Sequence, residues 1–366
     1  MIRMLFLFVT FVHGLIHLLG FAKAMGYAEL PQLAQPITRP QGLLWLAASL
    51  LLIATVASFV WWPRGWWLAG LLAVVVSQTV IASSWGDAKF GTIANAILLV
   101  GVAYGFASQG PLGLRASYER AVAATASVPT PEALTEADLG HLPGLVQRYV
   151  RGSGAVGQPR VHNFRVTWIG RIRNDPASPW MAFTAKQFNT LATPRRFFLM
   201  DATMKGLPVD VLHAFDEGGA TMRVKLLSCI PMVDAKGATL TRSETVTLFN
   251  DLCVLAPGAL VSPSITWEPI DAHAVRARFV LRANTISAEL HFNDQAELVD
   301  FISDDRSRSL DGRDATLLRW TTPLRDYAQV GPARISTRGE ARWHPASGAF
   351  SYGEFNLQSL EYNVGP

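Results

Sequence analysis

Pro40 to Trp62 is one uncharged run, closed off by Arg39 and Arg64, and it holds Leu43, Leu44, Trp45, Leu50, Leu51, Leu52, Ile53, Val56 and Phe59. A helix rises about 1.5 Å per residue, so roughly 20 apolar residues cross a bilayer core of about 30 Å. The run is long enough to span. Three more uncharged stretches accompany it, between Arg3 and Lys23, Arg64 and Asp87, and Lys89 and Arg115. Together they predict an integral membrane protein with a four-helix transmembrane domain over residues 1–108.

Beyond that domain the text changes. Residues 1–108 hold only five basic residues (Arg3, Lys23, Arg39, Arg64, Lys89) and two acidic ones, Glu29 and Asp87. The other 27 basic and 26 acidic residues are spread along the rest of the chain. A long, nearly neutral segment of mixed charge reads as a globular domain with its own core. No Lys/Arg stripe forms, which excludes nucleic acid as a partner.

The first apolar stretch could pass for a signal peptide, but Ala22-Lys23-Ala24 is a poor cleavage site and three spans follow, so it reads as a retained helix. Trp61-Trp62-Pro63-Arg64-Gly65-Trp66-Trp67 makes a tight turn with four indoles at headgroup depth. Gly86-Asp87-Ala88-Lys89 makes another. An antiparallel bundle follows, with both of its ends on one side. Four basic residues on that side against three on the other lean towards ends inside.

Residues 109–134, rich in Ala, Ser and Pro, read as a linker, and 135–366 as a β-rich domain. Leu142–Arg151 suits a short helix. From Arg160 the alternation has period two, and strands are expected over 163–171, 180–189, 195–204, 209–215, 221–228, 265–269, 274–282, 285–292, 297–304, 317–324, 333–342 and 350–362. Asp311-Gly312 is among the turns between them. So many antiparallel strands predict one large curved sheet or a partly open barrel, an α+β domain with a few helices.

One segment breaks the alternation. Ser243 reads as an N-cap, and Val246, Phe249, Leu252 and Cys253 then recur at helical spacing, giving an inserted amphipathic helix of about 12 residues. Its apolar face is either a core layer or the lid of an apolar cavity. Cys229 and Cys253 form no C-x-x-C motif, and their apolar flanks read as buried.

Several stretches carry a resemblance. His13-Gly14-Leu15-Ile16-His17-Leu18-Leu19-Gly20-Phe21-Ala22-Lys23, Gln35-Pro36-Ile37-Thr38-Arg39-Pro40 and Trp85-Gly86-Asp87-Ala88-Lys89-Phe90-Gly91-Thr92 resemble an uncharacterised bacterial family of four-span membrane proteins. So do Pro194-Arg195-Arg196-Phe197, Lys225-Leu226-Leu227, Ile265-Thr266-Trp267-Glu268 and Ile335-Ser336-Thr337-Arg338-Gly339-Glu340 in the second half. The family carries no activity to transfer. The strand pattern with an inserted helix is also similar to bacterial lipoprotein-carrier half-barrels, which hold acyl chains; that is a fold analogy.

Few residues invite chemistry. His13 and His17 share one face of the first span, where ionisable groups usually point into the bundle. They read either as a ligand pair for metal, haem or quinone, or as neutral imidazoles bonded to Ser77, Gln78 or Asn95. Metal would need further ligands, and no span supplies Cys, Asp or Glu. Asp87 and Lys89 suit an interfacial ion pair, and Asn95 an interhelical hydrogen bond. Hydrolase, zinc-protease and nucleotide-loop motifs are absent. Glu268, Asp271, Asp304, Asp305 and Glu340 suit surface ion pairs.

These readings converge on a multi-pass protein of the bacterial inner membrane. Its β-rich domain, placed outside the cytoplasm against that charge lean because a lipid carrier would work between envelope layers, binds a lipid or acyl ligand among Val246, Phe249, Leu252 and Trp267. No reaction or cofactor is expected, and membrane lipids are the expected partners. The competing readings are a redox or quinone-binding enzyme working through His13 and His17, and a partner-binding domain on a membrane anchor.

Overall fold

The computed structural model describes residues 2–125, 132–309 and 314–365. The expected turn at Asp311-Gly312 and part of the expected linker lie outside them. The chain divides into two compact units, Met1–Ser117 and Tyr118–Pro366.

In the first unit α1 (Ile2–Ala24), α2 (Arg39–Trp61), α3 (Trp66–Ser83) and α5 (Gly91–Gln109) are long and apolar enough to cross a membrane. A short α4 (Trp85–Ala88) fills the connection from α3 to α5. Thr38 caps α2 through a capping box with Gln41, and Pro40 sits in the first turn, where its missing N–H has no partner to lose. Each of the long helices packs on the next, and α5 returns to α1. Leu52, Trp66, Ala73, Leu98 and Val102 form the centre. Trp66 is thus a core residue packed on Phe6 and Phe59, whereas Trp61 and Trp62 are exposed.

The division at Ser117 falls within α6 (Leu114–Ala123), and α7 (Gly144–Gly152) precedes the strands of the second unit. The strands are β1 (Asn163–Ile172), β2 (Met181–Thr190), β3 (Arg195–Met204), β4 (Leu207–Asp216), β5 (Gly219–Leu226) and β6 (Ile230–Lys236). After α8 (Ala238–Leu255) come β7 (Ile265–Pro269), β8 (Ala274–Leu281), β9 (Asn284–Phe292), β10 (Leu298–Ser303), β11 (Ser307–Ser309) and β12 (Ala315–Leu317). Last are β13 (Trp320–Thr321), β14 (Leu324–Val330), β15 (Ala333–Trp343) and β16 (Phe350–Tyr362). One antiparallel sheet runs β6-β5-β4-β3-β2-β1-β16-β15-β13-β10-β9-β8-β7, with β14 added on β15. The sheet curls into a half-barrel, and β11 and β12 form a separate ribbon.

Several expectations need correcting. α8 begins at Ala238, after Gly237 with φ +117°, so Ser243 lies inside the helix, where its hydroxyl accepts the Ser307 N–H. The single strand expected over 317–324 is broken: β12 ends at Leu317, β13 holds only Trp320–Thr321, and Pro323, which cannot donate to a ladder, separates β13 from β14. β6, β11 and β14 are additional strands. Cys229 is exposed, next to Leu227 and Ser228, which both have positive φ in the β5–β6 turn; Cys253 is buried, and both thiols are free.

One face of α8 is embedded in the main core. Val246 and Phe249 are fully buried, and Phe249 stacks on Phe279 at 4.9 Å and meets Phe301 edge-on at 5.7 Å. The last carbonyls of α8, which lack helical partners, accept from Tyr149 Oη (to Cys253, 2.8 Å) and from Tyr362 Oη (to Leu255).

Asp300 on β10 is a built-in flaw: its Oδ1 is buried without a partner. Burial pushes its carboxyl up to about 6, against the pull of the Phe301 N–H. The folded protein therefore holds this proton more tightly than the open chain. Its contribution to stability is complete below about pH 4 and is lost as pH rises through about 6. Asp300→Asn is expected to raise the unfolding free energy by about 1–2 kcal/mol at pH 8 and to change little near pH 4, as read by urea titration at both pH values.

Candidate functional site

Alternation on β2, β3 and β4 decides what faces the concave side. Cross-strand pairs align Asn189, Arg196 and Phe215 in one row, Gln187, Phe198 and His213 in the next, then Ala185, Met200 and Val211, then Phe183, Ala202 and Val209. The rows therefore grade from polar to apolar along the strands. α8 lies over the polar end and lowers Glu244, Thr247, Asn250 and Asp251 onto it. A cavity of about 200 Å³ remains between helix and sheet. Phe198, Met200, Val211, Trp168, Ile172 and Phe355 line its apolar side; Gln187, Arg196, His213 and the four polar residues of α8 line its other side. Gly170 is needed here, since a Cβ would lie 2.1 Å from the Glu354 carbonyl and 2.6 Å from the Phe183 ring.

The polar floor is a closed charge network. Arg196 Nε donates to Asp251 Oδ2 at 2.7 Å, and its Nη1 donates to Glu244 Oε2 at 3.3 Å. Asp251 Oδ2 also accepts from Gln187 Nε2 at 2.7 Å and Asn189 Nδ2 at 3.1 Å. Trp168 Nε1 donates to Gln187 Oε1 at 3.0 Å and fixes that amide. Arg306 lies over Trp320 and Trp343, donates to Thr247 and Tyr352, and comes within 3.8 Å of Glu244. His213 Nδ1 stands 3.6 Å from Glu244, beyond hydrogen-bond reach, and is buried without a partner.

Electrostatics follow from this arrangement. Burial opposes the charge on Glu244, but His213, Arg196 and Arg306 outweigh it and hold the carboxyl well below the usual range. Burial raises Asp251, while Arg196 and Asn189 pull it back. Burial likewise opposes the Arg196 charge, and the two carboxylates keep it protonated. Two carboxylates thus face two guanidiniums and neutralise each other, and His213 adds to this only when it is protonated. The cavity offers hydrogen bonds from a polar floor but little net charge.

The apolar candidates lie elsewhere. Val246, Phe249 and Leu252 belong to the main core, and Trp267 packs against that core. The cavity uses the opposite face of α8. Sequence reading missed Arg196, Glu244, Asp251, Gln187 and Arg306 as a group. One signal was available: Glu244, Thr247 and Asp251 form a polar stripe at helical spacing opposite the apolar one. Glu268, Asp304, Asp305 and Glu340 do not converge; each pairs with a separate arginine.

In the first unit the two histidines meet α3 and α5. His13 Nε2 lies 3.1 Å from Asn95 Oδ1 and 3.2 Å from Ser77 Oγ. His17 Nδ1 faces the His13 carbonyl at 2.9 Å, so this nitrogen carries the proton and Nε2 is the acceptor for Ser77 Oγ at 3.0 Å. Asn95 continues to Gln78 and Gln78 to Thr92. Among the described residues no group of three or more His, Cys, Asp or Glu could hold a metal. Asp87 accepts the Gln35 N–H at 2.8 Å, Lys23 donates to the Leu33 and Gln35 carbonyls, and Lys89 lies over the Phe90 ring. Lys23, Gln35 and Asp87 thereby tie the segment after α1 to the connection before α5.

Comparison with known proteins adds little beyond the fold. The chain is similar to a DUF1329 family protein from Desulfovibrio piger (10% identity, TM-score 0.37, 64% of this chain and 95% of that one). It is similar to a putative outer membrane lipoprotein-sorting protein domain from Vibrio parahaemolyticus (12%, 0.33, 56% and 86%). A LolA superfamily protein from Nitrosomonas europaea is also similar (11%, 0.32, 61% and 93%). No curated protein matches the sequence. Residues 132–355, which hold the whole cavity, match one family model, and the chain belongs to that family, the family of unknown function DUF6544.

Proposed function

We propose that this chain is a membrane-anchored binding protein whose half-barrel holds one chain of an amphiphilic lipid near the bilayer. The observation that carries this reading is the graded cavity, with apolar rows at one end and an uncharged-in-sum polar floor at the other. Its volume of about 200 Å³ is below the roughly 300–1,000 Å³ of drug-sized sites. It suits one acyl segment with a small polar end. Residues 1–108 serve as the anchor: the outward faces of the helices carry Met4, Leu5, Phe8, Leu43, Leu50, Leu72 and Val100 exposed, an apolar surface suited to lipid. Catalysis is not part of this reading.

The test is native mass spectrometry with lipid extraction on the full-length protein. A lipid of defined mass is expected to co-purify. Val211→Trp, which fills the cavity, is expected to lower its occupancy about tenfold, with overpacking costing about 1–3 kcal/mol of stability. An empty wild-type protein, or unchanged occupancy in a folded variant, would sink the proposal.

The soluble domain belongs on the extracytoplasmic side of the inner membrane of a bacterial cell. Cys229 is a ready reporter because it is exposed while Cys253 is buried. A membrane-impermeant maleimide is expected to label Cys229 in intact spheroplasts; labelling only after lysis would place the domain inside.

A further inference from the structure

The apolar surface of the half-barrel runs beyond the cavity to the end of the sheet. Cross-strand pairing carries the row of Phe183, Ala202 and Val209 on to Leu226 in β5 and Ile230 in β6. One more row follows, where Ile172 faces Met181 and Met204 faces Leu207. Paired residues share a face of a sheet, and so do residues two apart on one strand. These side chains therefore continue the surface on which Met200 and Val211 line the cavity, and Ile172 lines it as well. The cover thins towards this end: Leu207 is 44% exposed and Ile230 46%. Met232, 54% exposed, extends the apolar surface along the edge strand β6.

The turns at this end form a rim. Lys205 (φ +50°) and Gly206 (φ +84°) reverse the chain in two residues, so Met204 and Leu207 stand at the tip of the β3–β4 hairpin. The β5–β6 turn lies beside it, with the Leu227 N–H donating to the Pro208 carbonyl at 2.8 Å. The turns over 173–180 and 344–349 complete the same end. Across these four turns the fixed charges are two cations, Arg173 and Lys205, and one acid, Asp175. The Asp175 carboxylate is engaged within its own turn, accepting the Ala177 and Ser178 N–H groups at 2.9 Å. Arg173 lies over the Trp180 ring at 4.3 Å and donates to the Ser351 and Pro176 carbonyls, neutral acceptors that do not cancel its charge.

Exposed apolar side chains edged by cations suit the interface of a membrane, where the former enter the headgroup region and the latter meet anionic lipid. Continuity selects the same occupant. No polar row separates the rim from the cavity on this face, so an acyl chain moving between a bilayer and the cavity would stay on apolar surface. A protein partner would require no such continuity. We infer that this end of the half-barrel docks on the surface of a bilayer containing anionic lipid, and is the entrance through which the ligand's chain is exchanged. The entrance role rests on the proposed lipid binding; the contact itself does not.

Cys229 sits in the rim and is exposed, whereas Cys253 is buried, so the native chain carries its own labelling site. At headgroup depth Cys229 stays wet enough for aqueous thiol reagents and within reach of quenchers carried on lipid. The full-length protein, labelled there with the fluorophore nitrobenzoxadiazole, is placed in nanodiscs of phosphatidylcholine and phosphatidylglycerol. Lipids bearing a nitroxide high on the acyl chain are expected to lower the emission about twofold. The same label on Ala192→Cys, combined with Cys229→Ser, is expected to lose little, because Ala192 is exposed in the β2–β3 turn at the opposite end. Leu207→Glu with Ile230→Glu changes only exposed side chains and is expected to keep the fold while removing the quenching at Cys229. Leaving out phosphatidylglycerol is expected to weaken it. Docking is overturned by an unquenched Cys229, by equal quenching at both turns, by quenching indifferent to phosphatidylglycerol, or by full quenching in the folded double variant. Emission that shifts only with protein concentration would assign the rim to a second copy and overturn it too. Native mass spectrometry keeps the two proposals apart: an empty cavity with Cys229 quenched sinks lipid binding alone, and a filled cavity with Cys229 unquenched sinks docking alone.

Discussion

Replacing Arg196 with methionine is expected to destabilise the folded state by about 3–5 kcal/mol, because it strands two buried carboxylates. Arg196, Glu244 and Asp251 are all almost wholly buried. Taking charges out of water is expensive, and each is tolerated only because its partners stand within 2.7–3.3 Å. The guanidinium serves both acids at once through a planar fork, which a lysine would not reproduce. Urea unfolding of the full-length protein in a defined micelle reads the effect. The triple change Arg196→Met, Glu244→Gln, Asp251→Asn is expected to recover part of the loss, since no net charge is then buried. A loss below about 1 kcal/mol for Arg196→Met would mean that the floor is solvated.

Phe249→Ala is expected to have an effect of the same size, about 3–5 kcal/mol, for a different reason. Phe249 is fully enclosed by Phe279, Phe301 and the rest of the main core, and truncation leaves a cavity that rigid neighbours cannot fill. Phe249→Asp would add a buried charge and is expected to prevent folding. Neither variant reports on ligand binding. Substitutions that separate binding from folding belong on the cavity side, at Val211 or Met200. Equal stability of wild type and Phe249→Ala in urea would contradict this packing.

What could be read in advance follows the range of the interaction. The four long helices were legible because a bilayer-length uncharged run is a local property. Most strands were legible because period-two alternation is local too. β6 and β14 were not: Pro231 interrupts one, and most side chains of the other are polar or exposed, as on an edge strand paired on one side. The start of α8 was misplaced because Ser243-Glu244 has the look of a cap, whereas Gly237 supplies the reversal through its backbone. The His13–Ser77–Asn95 contacts were foreseeable because few polar residues exist in the spans to choose from. Of the charged floor only the polar stripe of Glu244, Thr247 and Asp251 was foreseeable, and its partners on the sheet were not. Arg196 and Asp251 are 55 residues apart, Gln187 and Asp251 are 64 apart, and only the curl of the sheet joins them.

The position of β16 has a consequence for how such a chain is made. The half-barrel is not laid down strand after strand: its middle seam joins β1 to β16, and Thr167 meets Ser359 across 192 residues. The wing from β6 to β1 is a run of local hairpins and can pair as it leaves the ribosome. The wing from β7 to β10 can do the same. Until β16 arrives, β1 presents an open, partly apolar edge, and the cavity lacks the wall that Tyr352 and Phe355 provide. A nascent chain therefore passes through a long interval with two half-built wings and one unprotected seam. During synthesis that edge is the natural place for a chaperone to bind, and for a neighbouring copy to pair wrongly.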